Sequence, residues 1–281
     1  MVALLTRMEA GLALTPRSAE LASGITLPYV EQGDPAGTPV VFLHGVTDSW
    51  HSFEPVLPHL PPSIHAFALT QRGHGDADRP AVGYGMRDFA ADLAGFMDAV
   101  GLESAVVAGH SMGTTVAQRF AIEHPERTRG LLLAGGSSTF RRNAVVVEYE
   151  ETVVSSLEDP IDPAVAREFQ ESTLAHPIPA AFFETVVAES LKVPARVWRA
   201  VFAGFVTDPE WAWELATIPA STLLLWGSED VFCPRRDQEA LLAAIPEARL
   251  VVYRGAGHAL HWEQPERFAA DLVAFTECLA G

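Results

Sequence analysis

The sequence predicts an α/β fold: a mostly parallel, doubly wound sheet with helices on both faces and a helical cap inserted into it. Three observations predict it. Largely apolar runs of strand length recur at residues 39–43, 64–69, 105–109, 130–134, 221–226 and 249–253, and continuous runs suit strands buried on both faces. Segments of helical period stand between them, the order expected of a parallel sheet with crossover helices. The rhythm stops between about residues 140 and 216, where helical patterns are interrupted by Pro160, Pro163, Pro177, Pro179, Pro194 and Pro209. The 281 residues, 48% hydrophobic and 20% charged, suffice for a full core, expected from 1–139 and 216–281 with the cap at 140–215.

In chain order, residues 24–32 read as a strand that enters a turn at Gly33-Asp34-Pro35, and 39–43 as a buried strand ended by His44-Gly45. A helix is expected at 53–60, then a strand at 64–69 and a tight loop at Arg72-Gly73-His74-Gly75. Residues 86–100 carry the clearest helical pattern, with Met86, Phe89, Ala90, Leu93, Phe96, Met97 and Val100 on one face. The strand at 105–109 leads into a helical segment that begins just after Ser111 and runs to residue 123. After the insertion come a strand at 221–226, a helix near 237–244, a strand at 249–253 and a helix at 265–279, with Pro265 suited to its first turn.

The junction at Gly109-His110-Ser111-Met112-Gly113 carries the chemistry. A sharp strand-to-helix turn needs small flanking residues so that neighbouring backbones can approach, and it pushes its apical side chain out of the sheet. The Ser111 hydroxyl is thereby expected over the positive end of the following helix, where free N–H groups can stabilise developing negative charge. This G-x-S-x-G pattern between strand and helix is that of a nucleophile elbow.

With this order in place, the chain resembles the α/β-hydrolase superfamily over nearly its whole length. His44-Gly45 resembles the family's His-Gly turn, which implies the backbone N–H groups of Val46 and Met112 as the oxyanion hole. Arg72-Gly73-His74-Gly75 looks like its R-G-x-G loop. Gly227-Ser228-Glu229-Asp230 is similar to the turn that supplies the triad acid, implying Asp230. Gly255-Ala256-Gly257-His258, with Glu263 and Pro265 downstream, resembles the turn of the triad base, implying His258. The order Ser111, Asp230, His258 is that of the family, and the chemistry agrees: a serine hydroxyl needs an imidazole to take its proton, and the imidazole needs a fixed tautomer and a counter-charge. His261 and Glu229 are the nearest competitors of His258 and Asp230, with His261 read as a pocket-edge or structural residue. His44, His110 and Arg72 are expected to hold loops, and Cys233 to be a packed thiol.

Some residues depart from the family pattern. Thr70 stands where an aspartate is common and Thr114 where a second glycine is common; neither breaks the triad. Val46-Thr47-Asp48 lacks the extra glycines of lipase-type oxyanion loops, which argues against a lipase. Haloalkane dehalogenases and epoxide hydrolases of the superfamily carry an aspartate at the elbow, so Ser111 argues against both.

The 36 acidic against 19 basic residues, a net charge of −17, argue against nucleic acid or an anionic membrane as partner and favour small neutral molecules. Cys233 and Cys278 form neither a disulfide framework nor a metal-ligand pattern, so no cofactor or metal is expected and a reducing, cytoplasmic compartment is. Residues 2–14 are apolar but interrupted by Arg7 and Glu9, unlike a signal peptide or a membrane span. Aromatic residues of the cap, Phe140, Phe169, Phe182, Phe183, Trp198, Phe202, Phe205, Trp211 and Trp213, suggest an apolar or aromatic substrate. Trp50, Phe140, Phe183, Trp198, Phe202 and His261 are the expected pocket residues. The resemblance implies a serine hydrolase of small carboxylic esters or lactones, acting as a monomer or homodimer. Hydrolysis of a carbon–carbon bond in a diketone is the alternative within enzymes, with amide hydrolysis and perhydrolysis behind it, and a small-molecule sensor is the alternative outside them.

Overall fold

The computed structural model describes residues 14–207 and 212–279. Residues 2–13 of the apolar N-terminal stretch, together with Pro209 and Trp211, lie outside the described residues. Eight strands form a sheet: β1 (Arg17–Glu20), β2 (Thr26–Gln32), β3 (Thr38–Leu43), β4 (Ile64–Leu69), β5 (Ala105–His110), β6 (Thr128–Ala134), β7 (Thr222–Gly227) and β8 (Arg249–Tyr253). Their order is β1-β2-β4-β3-β5-β6-β7-β8. β1 and β2 run antiparallel at one edge, and the strands from β4 to β8 are parallel.

Side chains alternate across these strands, so each strand feeds two cores. Val41, Val107 and Leu133 pack with α1 (Met86–Ala99) and α2 (Met112–Glu123) through Phe89, Leu93, Val116 and Phe120. Phe42, Ala108 and Leu132 pack on the other face with Phe268, Leu272 and Phe275 of the C-terminal helix at Pro265–Leu279. Burial on both faces is why these strands read as continuous apolar runs.

Between β6 and β7 lie the helices α3 (Ala144–Thr152), α4 (Pro163–Ser172), α5 (Ala180–Lys192) and α6 (Ala195–Thr207). Among the described prolines that interrupt the pattern here, Pro163, Pro179 and Pro194 stand at helix starts, where a missing N–H costs nothing. Pro163 opens α4 behind Asp162, whose side chain accepts from Ala164 N–H at 2.9 Å, and Asn143 caps α3 by accepting from Val146 N–H at 3.2 Å. α7 (Arg235–Ala244), α8 (Leu260–Glu263) and α9 (Pro265–Leu279) complete the described helices. None of the described helices is long and apolar enough to cross a membrane.

Three local features differ from the sequence reading. The helix expected at 53–60 is two short 3-10 turns, Trp50–Phe53 and Leu57–His59. Pro55 and Pro58 lack the N–H groups a continuous helix would use there. β1 is not expected from the sequence: Arg17, Ser18 and Glu20 are polar and exposed, Ala19 alone is buried, and pairing with β2 makes them a strand. α8 is too short for a periodic signal.

The sheet reverses its direction of growth at β3, which lies between β4 and β5. In open α/β sheets the crevice at such a point, outside the carboxyl ends of the strands, is where ligands bind. The turns at His44-Gly45, Ser111, Asp230 and His258 all follow carboxyl ends, those of β3, β5, β7 and β8. The elbow has no room for larger flanking residues. A methyl group on Gly113 would stand 2.1 Å from the Leu43 carbonyl oxygen, and one on Gly109 2.3 Å from the Gly113 carbonyl oxygen. Gly113→Ala is therefore expected to destabilise the protein by about 3 kcal/mol or more. Gly95→Ala, whose added methyl meets Leu21 at an ordinary 3.6 Å on α1, serves as the control and should be neutral or stabilising. Thermal melts of the two variants check this.

Candidate active site

Ser111 stands between β5 and α2 with φ +50° and ψ −117°. A non-glycine residue in this region is strained by roughly 1–3 kcal/mol, and the surroundings must hold it there. They do so through the backbone: Ser111 N–H donates to Ala134 O at 3.0 Å, and its carbonyl accepts from the Thr114 N–H at 2.9 Å and the Thr114 hydroxyl at 2.7 Å. Thr114 thus has a local role as the turn's clasp. The β3 turn lies against the serine, since a methyl on Gly45 would be 3.3 Å from Ser111 Cβ. Val46 follows and lines the same cavity as Ser111 and His258. Met112 is the first residue of α2, so its N–H belongs to the helix end that lacks intrahelical acceptors.

His258 and Asp230 are both buried, and His258 Nδ1 lies 2.8 Å from Asp230 Oδ2. The other carboxylate oxygen, Oδ1, accepts the N–H groups of Phe232 at 2.9 Å and Cys233 at 2.8 Å. With both oxygens engaged, the carboxylate orients the ring as an Nδ1–H donor and leaves Nε2 with the lone pair. Glu263 braces the turn before His258 by accepting from Gly257 N–H at 3.2 Å and from Ala175 N–H at 2.7 Å.

The competitors sit elsewhere. Glu229 is exposed and contacts Ser228. His261 is fully buried, its Nε2 3.0 Å from Ser52 Oγ, and burial with nearby His258 pushes it down to about 3. It is not a pocket-edge residue. His110 packs between His258 and His261, and its Nε2–H donates to the His258 carbonyl at 3.2 Å. His44 receives the Gln71 N–H on Nε2 at 3.0 Å, and Arg72 forms a two-pronged ion pair with buried Asp92. All three hold loops beneath the site.

Asp230, Cys233 and His258 place three possible metal-ligand atoms within 4.8 Å of one another. Each already has a partner: the Cys233 thiol donates to Gly135 O at 3.1 Å, and burial raises its pKa well above the usual range. A thiolate ligand is thus disfavoured, and the cluster's geometry serves hydrogen bonding.

The cavity above Ser111 is small, about 30 Å3, and its walls are aromatic: Phe140, Phe169, Phe202, Phe205, Phe232 and Trp262. Of the six expected pocket residues, Phe140 and Phe202 line it. The other four do not. Trp50 is packed in the core and stacked on His51, and Trp198 is fully buried behind Phe169. Phe183 lines a separate surface depression near His176, and His261 lies below the floor. Aromatic residues at helical spacing pack a helix onto its neighbours as readily as they face a cavity, which is why spacing did not separate the two groups.

The sequence reading also missed a buried polar cluster that ties α4 and α5 to the β3 turn. Gln170 Nε2 lies 2.9 Å from Asp48 Oδ1, 3.2 Å from Thr47 Oγ1 and 2.8 Å from Ser190 Oγ. Thr47 has φ +69°, a strained value for a β-branched residue, so these contacts hold the turn that carries Val46 N–H. Gln170 and Ser190 lie more than a hundred residues along the chain from Thr47 and Asp48, and no local pattern reveals the cluster.

Asp48 lines the cavity, and burial pushes its carboxyl from 3.8 up to about 7 against the opposing effects of Gln170, Ser52 and His258. The folded protein holds this proton where the unfolded chain has lost it, so Asp48 makes stability fall as pH rises from about 4 to about 7. Buried His44, His74, His110 and His261, held below their usual range, act in the opposite direction by resisting protonation at low pH. Asp48→Asn isolates the first effect, because its amide oxygen can still accept from Gln170. Its stability relative to the parent is expected to rise between pH 5 and pH 8, as read from denaturant melts at both pH values.

An oriented imidazole, a strained serine at a helix N-terminus and a backbone N–H turn beside them, in one crevice of a doubly wound sheet, define the class of an α/β hydrolase. Residues 40–271 match the sequence profile of the Alpha/beta hydrolase family, and the chain belongs to that family. It is 27% identical over 251 residues to the AB hydrolase superfamily protein YisY of Bacillus subtilis (strain 168), covering 85% of this chain and 92% of the relative. It is also 27% identical over 287 residues to a 2-hydroxymuconate semialdehyde hydrolase of Pseudomonas sp. (strain CF600), covering 92% and 94%. An esterase (EaEST) from Exiguobacterium antarcticum superposes with a TM-score of 0.84 at 23% identity, covering 94% of this chain and all of the esterase, a likeness of fold.

Proposed function

We propose that this protein is a serine hydrolase of small, uncharged carboxylic esters, with lactones as the cyclic version of the same bond. The observation that carries the reading is His258, held by buried Asp230, facing with Ser111 a cavity walled by aromatic rings. Ser111 Oγ attacks the carbonyl carbon as His258 Nε2 takes its proton, and Asp230 stabilises the imidazolium. The N–H groups of Val46 and Met112 hold the oxyanion, the latter helped by the positive end of α2. Collapse breaks the bond to the alcohol oxygen, which takes the proton from His258 and leaves Ser111 acylated. A water molecule then gives its proton to His258 and attacks the acyl carbon; the bond to Ser111 Oγ breaks, Oγ takes that proton back from His258, and the acid leaves. The helices between β6 and β7 act as the cap over this chemistry.

Carbon–carbon bond hydrolysis has support in the relative named for a muconate semialdehyde, a carboxylate. The cavity argues for the ester. No lysine or arginine stands among its described lining residues to pair with a carboxylate, and Asp48 adds an acidic group. The test is turnover on 4-nitrophenyl esters, aromatic esters, lactones and a diketone, with mass spectrometry after a fluorophosphonate probe. Labelling of Ser111 with multiple turnover on esters supports the reading; turnover on the diketone alone replaces it.

A further inference from the structure

The catalytic cavity, at about 30 Å3, has room for roughly two water molecules and cannot hold both halves of an ester. A second space adjoins it. A surface groove of about 420 Å3 runs between α3, α4 and the loop after β7, and Phe169 and Phe232 line both the groove and the cavity. These two rings are the partition between them.

The rings are held differently. Phe169 is buried and packs edge-on against Trp198 at 5.3 Å and Phe202 at 6.3 Å, with Tyr149 at 5.5 Å. Phe232 is half-buried beside exposed Val231 and meets Phe169 at 6.2 Å and His258 at 5.1 Å. Its backbone is tied at both ends, the N–H to Asp230 Oδ1 and the carbonyl to the Asn143 side chain at 2.6 Å. The ring can therefore turn about its own side-chain bonds without disturbing Asp230.

Position gives the groove its half of the substrate. The departing alcohol must take its proton from His258, so it leaves on the side of that ring, and Phe232 is the partition residue in contact with it. The groove walls are apolar at Val145, Val165 and Val231, while Glu148 and Glu168 are exposed along it and no lysine or arginine lines it among the described residues. Resting on the ester-hydrolase reading above, we propose that this groove is the alcohol channel, that Phe232 is its gate, and that Glu148 and Glu168 select uncharged or cationic alcohol groups over anionic ones.

The experiment uses the full chain and two series of esters: acetates of ethyl, phenyl, 2-naphthyl, trimethylammoniophenyl and carboxyphenyl alcohols, and 4-nitrophenyl esters of increasing acyl length. Phe232→Ala should raise kcat/KM for naphthyl over ethyl acetate about tenfold relative to the parent and leave acyl-length preference in place. Phe232→Trp should lower the same ratio. Glu148→Gln with Glu168→Gln should reduce the preference for the cationic over the anionic aryl acetate about tenfold at low salt, an effect that fades at high salt. A shift in acyl-length preference alone, or unchanged alcohol selectivity in all the folded variants, overturns the channel while the hydrolase reading stands. Absence of fluorophosphonate labelling at Ser111 in the parent overturns both.

Discussion

Ser111→Ala is expected to lower kcat on every ester by about a million-fold, with the melting temperature close to that of the parent. The nucleophile and its base act as one unit, so removing the hydroxyl forfeits nearly all of what the relay contributes. A residual rate of about a thousand-fold or more over water should survive, because the Val46 and Met112 N–H groups and the cavity itself are untouched. Folding should survive as well. The bonds that hold residue 111 at its strained φ run through its backbone to Ala134 and Thr114, and alanine keeps them. Single-turnover kinetics with a 4-nitrophenyl ester, beside a thermal melt, measure both. Activity within tenfold of the parent in the folded variant would show that the elbow is not the nucleophile.

The sheet was legible in the sequence wherever a strand is buried on both faces. Ile64–Leu69, buried throughout, has the expected bounds, and so does the half-buried edge strand Arg249–Tyr253, because turn-forming residues or prolines end each apolar run. β1 was illegible because pairing makes those mostly polar residues a strand, and residues 53–60 misled because their apolar spacing ignores two prolines. In the site, Ser111, Asp230 and His258 were marked by turns after strands, a signal carried within a few residues of each. The structure brings His258 and Asp230 into contact and sets Ser111 on the same cavity as His258. Gln170, Ser190 and Asp48 carried no such signal: a buried hydrogen-bond cluster across the β3 turn, α4 and α5 is a property of packing. Cap aromatics were partly legible, with Phe140 and Phe202 on the cavity and Trp198 one layer behind.

Asp230→Asn is expected to lower kcat by about ten-thousand-fold with little change in fold, and the carboxylate's own partners say why. Oδ1 receives two backbone N–H groups, from Phe232 and Cys233, so an asparagine must place its amide oxygen there. Its NH2 is then turned toward His258 Nδ1, which can no longer donate and must accept. The proton moves to Nε2, the nitrogen needed as the base, and the counter-charge for the imidazolium is lost at the same time. Among the described residues Asp48 is the carboxyl that lines the cavity, but Gln170 and Ser52 hold it rather than a ring nitrogen. Asp48→Asn should accordingly retain activity within about tenfold of the parent, the modest loss expected when a neighbouring carboxyl that is charged only above about pH 7, and not an orienting partner, is removed. If Asp48→Asn loses more turnover than Asp230→Asn, the orienting acid has been assigned to the wrong strand end. The comparison discriminates because each variant removes one buried carboxyl near His258, Asp48 on the cavity wall and Asp230 behind the ring, and only Asp230 dictates which nitrogen of His258 carries the proton.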